Sequence, residues 1–502
     1  MSQVRRQSIV STLFVYGGFV IGFVNTYLFT RQGSPFSPSE YAITGIFIAV
    51  GNLMFAFANL GMVSVVYKFF PYFQDNLPRK KNDLFTWTFL ISLIGFALVI
   101  IAGVVFKGLV IRKFGGNSPL FLQYYSWIFP FGFSIMVFSL LEVFAWNIRQ
   151  SIATTFLREV LFRVLTMVLI FLLSFQLIHS FDVFIKIYAF TYGITAVVLL
   201  GFLIKKKALN ITFTISRVTK KFYKKMVAMA TLIYFGGTIY MIAQFIDTIV
   251  IMSLLGTTEA GIFALGSVVS GLVQAPQRGA IAASIPVLSR AWKEKDFEKI
   301  NLIYQRSGIN LLIASLGIFL AVWLCYTDVV VSFKLKPAYL DSRWVFFFLG
   351  MARVVDLGTG VNSQIIGTST FWRFEFVSGM VLLSLAVPLN YLLVKQYGIV
   401  GAGYSNLIAL TVYNVIRLIF LKRKFNMHPF SMKTIYAIIV AVVCYLICYF
   451  SFQFLTGFLA IAVKFSVFSA LFAGAIIYLK LSPDIIPVFE SITKKAGLRR
   501  RK

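Results

Sequence analysis

Long apolar runs alternate along this chain with short polar connections, most of them basic. Each run has about 20 residues, enough for a helix rising 1.5 Å per residue to cross a hydrocarbon core of roughly 30 Å. Read this way, the pattern predicts about fourteen spans. The first six lie near 9–30, 41–66, 85–106, 120–146, 162–179 and 184–204. A basic segment, "KKKALNITFTISRVTKKFYKKMV", follows at 205–227. Six more spans lie near 229–255, 259–288, 308–328, 343–366, 375–394 and 399–421, and two last ones near 434–456 and 458–480. No run of short alternating segments suggests a β-barrel. The expected class is an all-α polytopic membrane protein.

The pattern restarts midway. "TLFVYGG" begins at Thr12 and "TLIYFGG" at Thr231, an offset of 219. The same offset carries Glu40 of "SEYAITGIF" onto Glu259 of "TEAGIFALG". At the far end "YAFTYGITAVVLLGFLIKKK" (188–207) resembles "YSNLIALTVYNVIRLIFLKRK" (404–424) at nearly the same spacing. Six spans followed by six in the same orientation form a parallel pseudo-repeat, a layout that places a central cavity between two bundles. The expected organisation is a six-helix bundle over 1–204, a basic cytoplasmic linker over 205–228 and a second six-helix bundle over 229–424. Two extra helices and a basic tail would occupy 425–502.

Composition supports the class. Hydrophobic residues make up 59% of the 502 and charged residues 13%, where a soluble domain carries about 25% charged. The net charge of +30 could point to nucleic acid, but its placement argues otherwise. The cations sit in short loops such as "PRKKND" (78–83) and "LKRKF" (421–425), and no soluble basic domain is present. With both termini inside, roughly thirty-five Lys and Arg fall in cytoplasmic segments and about ten outside, the positive-inside pattern. The weak point is "KGLVIRKFGGNSP" (107–119), which puts Lys107, Arg112 and Lys113 outside. Cys325, Cys444 and Cys448 stand in apolar context and imply no disulfide framework. Arg5 and Arg6 precede a long apolar stretch without a small-residue cleavage site, so this reads as the first span.

A charge at the bilayer centre costs at least about 2.5–3.5 kcal/mol, so a charge within a span faces a cavity or a partner. Arg278, flanked by Pro276 and Gly279, lies inside the eighth span, and its guanidinium suits a phosphate. A packing partner would explain it equally simply. Arg353 and Asp356 stand at i,i+3 in the tenth span, where they can pair on one face. Asp247, in the seventh, reads either as a proton or sodium site or as the partner of Arg278. Glu142 lies near the inner end of the fourth span, with Arg149, Arg158, Glu159 and Arg163 following. That group is either an interfacial helix with the usual inside positives or an entry site for a phosphorylated substrate. Asn25, Asn52, Asn59, Gln244, Asn362, Gln364, Asn406 and Asn414 could bond sugar hydroxyls, though each alone is commonly interhelical glue. No GxxxxGK[ST], HExxH or CxxC motif occurs, so neither an ATP site of that type nor a metal site is expected. No sizeable loop offers catalytic acids, and the chain does not read as an enzyme.

Three stretches carry a resemblance: "FIDTIVIMSLLGTTEAGIFALG" (245–266), "IPVLSRAWKEKDFEKINLIYQRS" (285–307) and "QYGIVGAGYSNLIALTVYNVIRL" (396–418). On these the chain resembles the polysaccharide-biosynthesis flippases, lipid-linked oligosaccharide (O-antigen type) exporters of the multidrug/oligosaccharidyl-lipid/polysaccharide superfamily. The resemblance covers nearly the whole chain. It implies two six-helix bundles with two further helices and no cofactor. The implied cargo is a sugar chain on a polyprenyl pyrophosphate, moved across a bacterial inner membrane by alternating access for surface polysaccharide, including lipopolysaccharide, synthesis. It also implies coupling to an ion gradient, proton or sodium. Glycan polymerases and glycosyltransferases would be the partner proteins, beside membrane lipids. Asp247, Arg278 and Arg353 are the positions carried over. With Asn25 and Gln364 added, Arg278 and Arg353 make the candidate cargo site; Asp247, Asp356 and Glu142 are the candidate coupling or counter-ion acids. The alternatives are a multidrug or cation antiporter of the same fold and, from another class, a membrane glycan polymerase or transferase.

Overall fold

The computed structural model describes residues 3–482 and Asp484; the basic tail lies outside them. Among the described residues the regular structure is helical. Clustering of contacts divides the chain into two compact units, Met1–Gly261 and Ile262–Lys502.

The first unit begins with α1 (Gln3–Thr30), α2 (Pro38–Ala58), α3 (Met62–Asn76) and α4 (Leu84–Val105). Three shorter pieces and one long one follow: α5 (Lys107–Phe114), α6 (Pro119–Gln123) and α7 (Ile128–Asn147), then α8 (Ser151–Thr155). A π-helical turn, Phe156–Leu161, joins α8 to α9 (Phe162–Ser174). The unit continues through α10 (Phe181–Tyr188), α11 (Thr191–Lys205) and α12 (Arg217–Leu254). Its core is aromatic. Phe131 stacks with Tyr188 at 5.4 Å and with Phe47 at 5.7 Å, and Phe36 meets Phe184 edge-on at 4.9 Å. These rings seat α2 and α10 on α7.

Helix α13 (Thr257–Glu294) crosses from the first unit into the second. The second unit then holds α14 (Phe297–Ser332), α15 (Ser342–Gly358), α16 (Asn362–Thr368), α17 (Trp372–Tyr397), α18 (Ile399–Phe425), α19 (Met432–Phe452) and α20 (Gly457–Tyr478). Its inner core gathers Leu288, Tyr304, Leu357, Ile365, Leu421 and Met427. The terminal pair α19–α20 packs on α14. There Lys464 Nζ meets Asp328 Oδ2 at 2.6 Å, with both side chains largely buried.

Among the described residues twelve helices are long and apolar enough to cross a membrane, or thirteen if one bent pair counts as a single span. The chain is thus a multi-pass membrane protein, and the expected fourteen differ in the fifth span. There the helix changes to π geometry at Phe156–Leu161, and the α-helical stretch beyond it, α9, has 13 residues, where a span needs roughly 20. The tenth span bends by 48° between α15 and α16. The second ends early, at Ala58, because Leu60 and Gly61 take positive φ and turn the chain into α3. At Gly61 a side chain has no room: an added Cβ would stand 2.3 Å from the carbonyl oxygen of Ala230 on α12. The offset pair Glu40 and Glu259 occupies the first turn of α2 and of α13. Glu40 there closes a capping box, accepting from Ser37 N at 2.7 Å while Ser37 Oγ accepts from Glu40 N at 3.2 Å. An acid in a first turn also complements the helix dipole.

Candidate functional site

The bend of the tenth span is the centre of a buried polar network in the second unit. Asn414, on α18, donates from Nδ2 to Asp356 Oδ1 at 3.0 Å. Its Oδ1 accepts from Thr359 Oγ1 and from Asn362 Nδ2, each at 2.9 Å. Gln277 of α13 donates to the other oxygen of Asp356 at 3.2 Å. Arg417, one turn beyond Asn414, is 2% exposed and among the largest fully buried side chains. It forms an ion pair with Glu375 of α17, bonds Ser378 Oγ at 3.2 Å and Asn362 Oδ1 at 3.4 Å, and lies 3.7 Å from the Tyr413 ring centroid. Glu375 also accepts from Ser363 Oγ at 2.6 Å and sits in the first turn of α17.

The chemistry of these groups gives the network a direction. A guanidinium only donates and a carboxylate only accepts. Arg417 therefore fixes the Asn362 oxygen toward itself, which turns the Asn362 amide nitrogen onto Asn414. The Asn414 nitrogen is in turn directed at Asp356. The amide orientations, assigned from hydrogen bonding, follow from the two charged ends alone.

Asp356 is thus occupied by two amides, and the pairing with Arg353 that the i,i+3 spacing allows is not formed. Arg353 is half-buried on α15 and has no hydrogen bond or ion pair among the described residues. Gln364 lies on α16, half-buried, its carbonyl accepting from Thr368 Oγ1 at 2.7 Å. Arg278 is on α13, and its side chain lies outside the described ones. Asp247 is on α12, in the first unit.

The first unit holds its own charged cluster around the π-turn. Glu142, 4% exposed on α7, pairs with Arg158 at 2.5 Å. Arg163 and Glu159 pair at 3.0 Å. Arg158 lies over Phe138 at 5.4 Å and Arg163 over Phe19 at 5.6 Å. Asn25 Nδ2 donates to the Arg163 carbonyl at 2.8 Å, tying α1 to α9, while Asn25 Oδ1 is buried without a partner. Gly18 makes the close approach possible: an added Cβ would stand 2.5 Å from the Glu159 carbonyl oxygen and 2.6 Å from Arg163 Nη1. The wider π-turn, a feature often found at functional sites, carries Arg158 and Glu159.

Arg417 and Glu375 were not foreseen among the candidates. Arg417 precedes "LKRK" and reads as part of the basic helix end. A usable signal exists: Asn414 and Arg417 at i,i+3 on one span, and Glu375 and Ser378 at i,i+3 on the span before it.

No protein-family model matches the chain. A curated relative, an uncharacterized membrane protein of Methanocaldococcus jannaschii, is 27% identical over 208 residues, covering 40% of this chain and 47% of the relative. The match thus spans about half of that protein's length. Among solved structures, the lipid II flippase MurJ in an inward closed conformation aligns with a TM-score of 0.70 and 17% identity, over 93% of this chain and 100% of that one. An inward-facing multidrug resistance MATE family transporter of the MOP superfamily aligns at 0.65 and 15% identity, over 83% and 98%. An outward-facing one aligns at 0.57 and 16% identity, over 84% and 95%. The chain has the fold shared by this flippase and these multidrug transporters.

Proposed function

We propose that this protein is a flippase of the MOP superfamily rather than an enzyme. Its cargo is an oligosaccharide on a polyprenyl pyrophosphate, moved across a bacterial inner membrane by alternating access for surface polysaccharide synthesis. Both termini lie in the cytoplasm on this reading, where the basic loops favour them. Glycosyltransferases supply the cargo and a glycan polymerase consumes it. A proton or sodium gradient drives the cycle through Asp356, with Asp247 and Glu142 as further coupling acids. No organic cofactor takes part.

The observation that carries the reading is Arg353. A guanidinium within a span that has no counter-charge calls for an anion, and the acid nearest in sequence is already held by Asn414 and Gln277. A pyrophosphate supplies that anion and suits the planar donor fork of arginine. Arg278 on α13 is the second cation assigned to the same group. Gln364 is assigned to a sugar hydroxyl; Asn25, bonded to the Arg163 carbonyl in the first unit, is not.

The test is complementation of a deletion strain with Arg353→Ala and Arg278→Ala. Loss of surface polysaccharide with normal membrane levels of both variants is the expected result. Normal polysaccharide in both sinks the reading. Broad drug sensitisation of the deletion strain with intact glycans would favour a multidrug or cation antiporter; the MATE neighbours are named multidrug resistance transporters.

A further inference from the structure

The segment between α11 and α12 is a non-helical strap fixed to the loop that precedes α4. Asn210 Nδ2 donates to the carbonyls of Lys80 and Asn82 at 3.1 and 3.2 Å. Thr212 N donates to Thr86 Oγ1 at 2.9 Å. Ser216 N and Thr219 Oγ1 both donate to Asp83 Oδ2, at 2.9 and 2.8 Å, and Asp83 is fully buried. Further out, the Thr212 and Thr214 hydroxyls bond each other at 2.9 Å.

Between these pinned residues the side chains turn the other way. Ile211 is 70% exposed, Phe213 69% and Ile215 52%. An ordered strap thus holds three apolar side chains outward with no protein cover. Cations surround them: Arg79–Lys81 on the loop beneath, positions 205–207 before the strap, and Lys220, Lys221, Lys224 and Lys225 after it. All are exposed, and none has an acidic partner among the described residues. A shallow pocket at the same place is lined by Arg79, Asn82 and Asn210 together with Phe70, Phe85 and Phe144.

The position along the membrane normal follows from helix length. Helix α12 has 38 residues, about 57 Å at 1.5 Å per residue, while the hydrocarbon core is roughly 30 Å thick. The basic first turns of α12 therefore lie beyond the core, and the strap joins them to the end of α11 at the level of the head groups.

We infer that the strap is an interfacial anchor for anionic phospholipid. Ile211, Phe213 and Ile215 enter the boundary between head groups and acyl chains, and the flanking lysines collect the phosphates above it. Apolar side chains beside a polybasic segment are the pairing that binds anionic leaflets. Zwitterionic lipid supplies the apolar half of this complement and lacks the net charge. The anchor concerns bulk lipid and stands whether or not the cargo is the one proposed above.

The test uses the full-length protein in nanodiscs of phosphatidylcholine alone or mixed with phosphatidylglycerol. Ile211→Cys carries an environment-sensitive NBD label; Cys325, Cys444 and Cys448 are buried, and the parental chain gives their background. Quenching by acyl-brominated lipid reports insertion. We expect quenching several-fold stronger with phosphatidylglycerol, and a fall to the phosphatidylcholine level when Lys220, Lys221, Lys224 and Lys225 are all changed to Gln. A label at Ile215→Cys should behave alike and guards against a local defect at position 211. A label that stays in water in both lipids overturns the anchor. Equal quenching in both overturns its anionic selectivity.

Discussion

The buried Arg417–Glu375 pair gives the sharpest stability prediction. Replacing Arg417 with Met keeps the aliphatic bulk and removes the charge. It leaves Glu375 facing Ser363 alone, and it strips Ser378 and the Asn362 oxygen of a donor. Removing one partner of a buried ion pair costs about 3–5 kcal/mol. Arg417 is 2% exposed but Glu375 is 30% exposed, so water relieves part of the stranded carboxylate and the lower end, about 3 kcal/mol, is expected. Glu375→Leu alone strands the more deeply buried guanidinium and should cost as much or more. The double variant Arg417→Met/Glu375→Leu removes both charges, and replacing a buried pair by apolar residues is often near neutral. The cycle should therefore close with a coupling of at least about 2 kcal/mol, well beyond the additivity of independent sites at about 0.3–0.5 kcal/mol. Reversible unfolding of the purified protein in mixed micelles, followed by circular dichroism, measures all four corners. Additive losses would mean that the two charges do not depend on each other, and the directional network would fall with them.

Four further outcomes are expected. Lys464→Met should destabilise by about 3 kcal/mol because it strands Asp328, and Lys464→Met/Asp328→Leu should recover most of it; a melting series in detergent reads both, and equal losses would deny the pairing. Gly61→Ala meets a φ of +77° and an added Cβ 2.3 Å from the Ala230 carbonyl, so it should cost more than the roughly 1–2 kcal/mol of left-handed strain alone. Gly237→Ala, with open space around its Cβ, should be neutral or gain up to about 1 kcal/mol of helix propensity in the same assay. Asp356→Asn keeps an acceptor for Asn414 but turns an amide nitrogen toward the Gln277 donor, so the protein should lose about 1–3 kcal/mol while proteoliposome transport loses its response to an imposed proton or sodium gradient. Transport that still follows the gradient would remove Asp356 from the coupling role.

Most spans were legible because a bilayer demands about 20 apolar residues in succession, and only helices meet that demand with every backbone group bonded internally. The departures have local causes. The expected fifth span, 162–179, begins just after a π-turn and ends early, at Ser174; the extra residue of a π-turn leaves no trace in hydropathy. The second was cut by Leu60 and Gly61, and Gly61 was legible only as one glycine among 35. The bend of the tenth span lies at Gly358 and Gly360, with Gly360 at positive φ. The candidate site was harder. Asp356, Asn362 and Asn414 stood out as polar residues in apolar runs, but their assembly needs three helices whose register the sequence does not give. The i,i+3 rule, true for isolated helices, paired Arg353 with Asp356, and tertiary donors outcompeted it.

That competition bears on function through charge balance. In the polar network of the second unit Arg417 is matched by Glu375 inside the protein, and Asp356 is neutralised by no cation: its two oxygens receive amide hydrogens from Asn414 and Gln277. Hydrogen bonds to a charged group are worth about 1.5–3 kcal/mol each, so the two amides offset part of the cost of burying this side chain without a salt bridge. The amide nitrogens can do this because Arg417 polarises the chain from its far end. Arg353, half-buried one helical turn away, is left without either partner. The span thus holds an acid and a cation at i,i+3 and leaves them apart, and the exchange of an anionic cargo against a small cation proposed above is a use that would engage both.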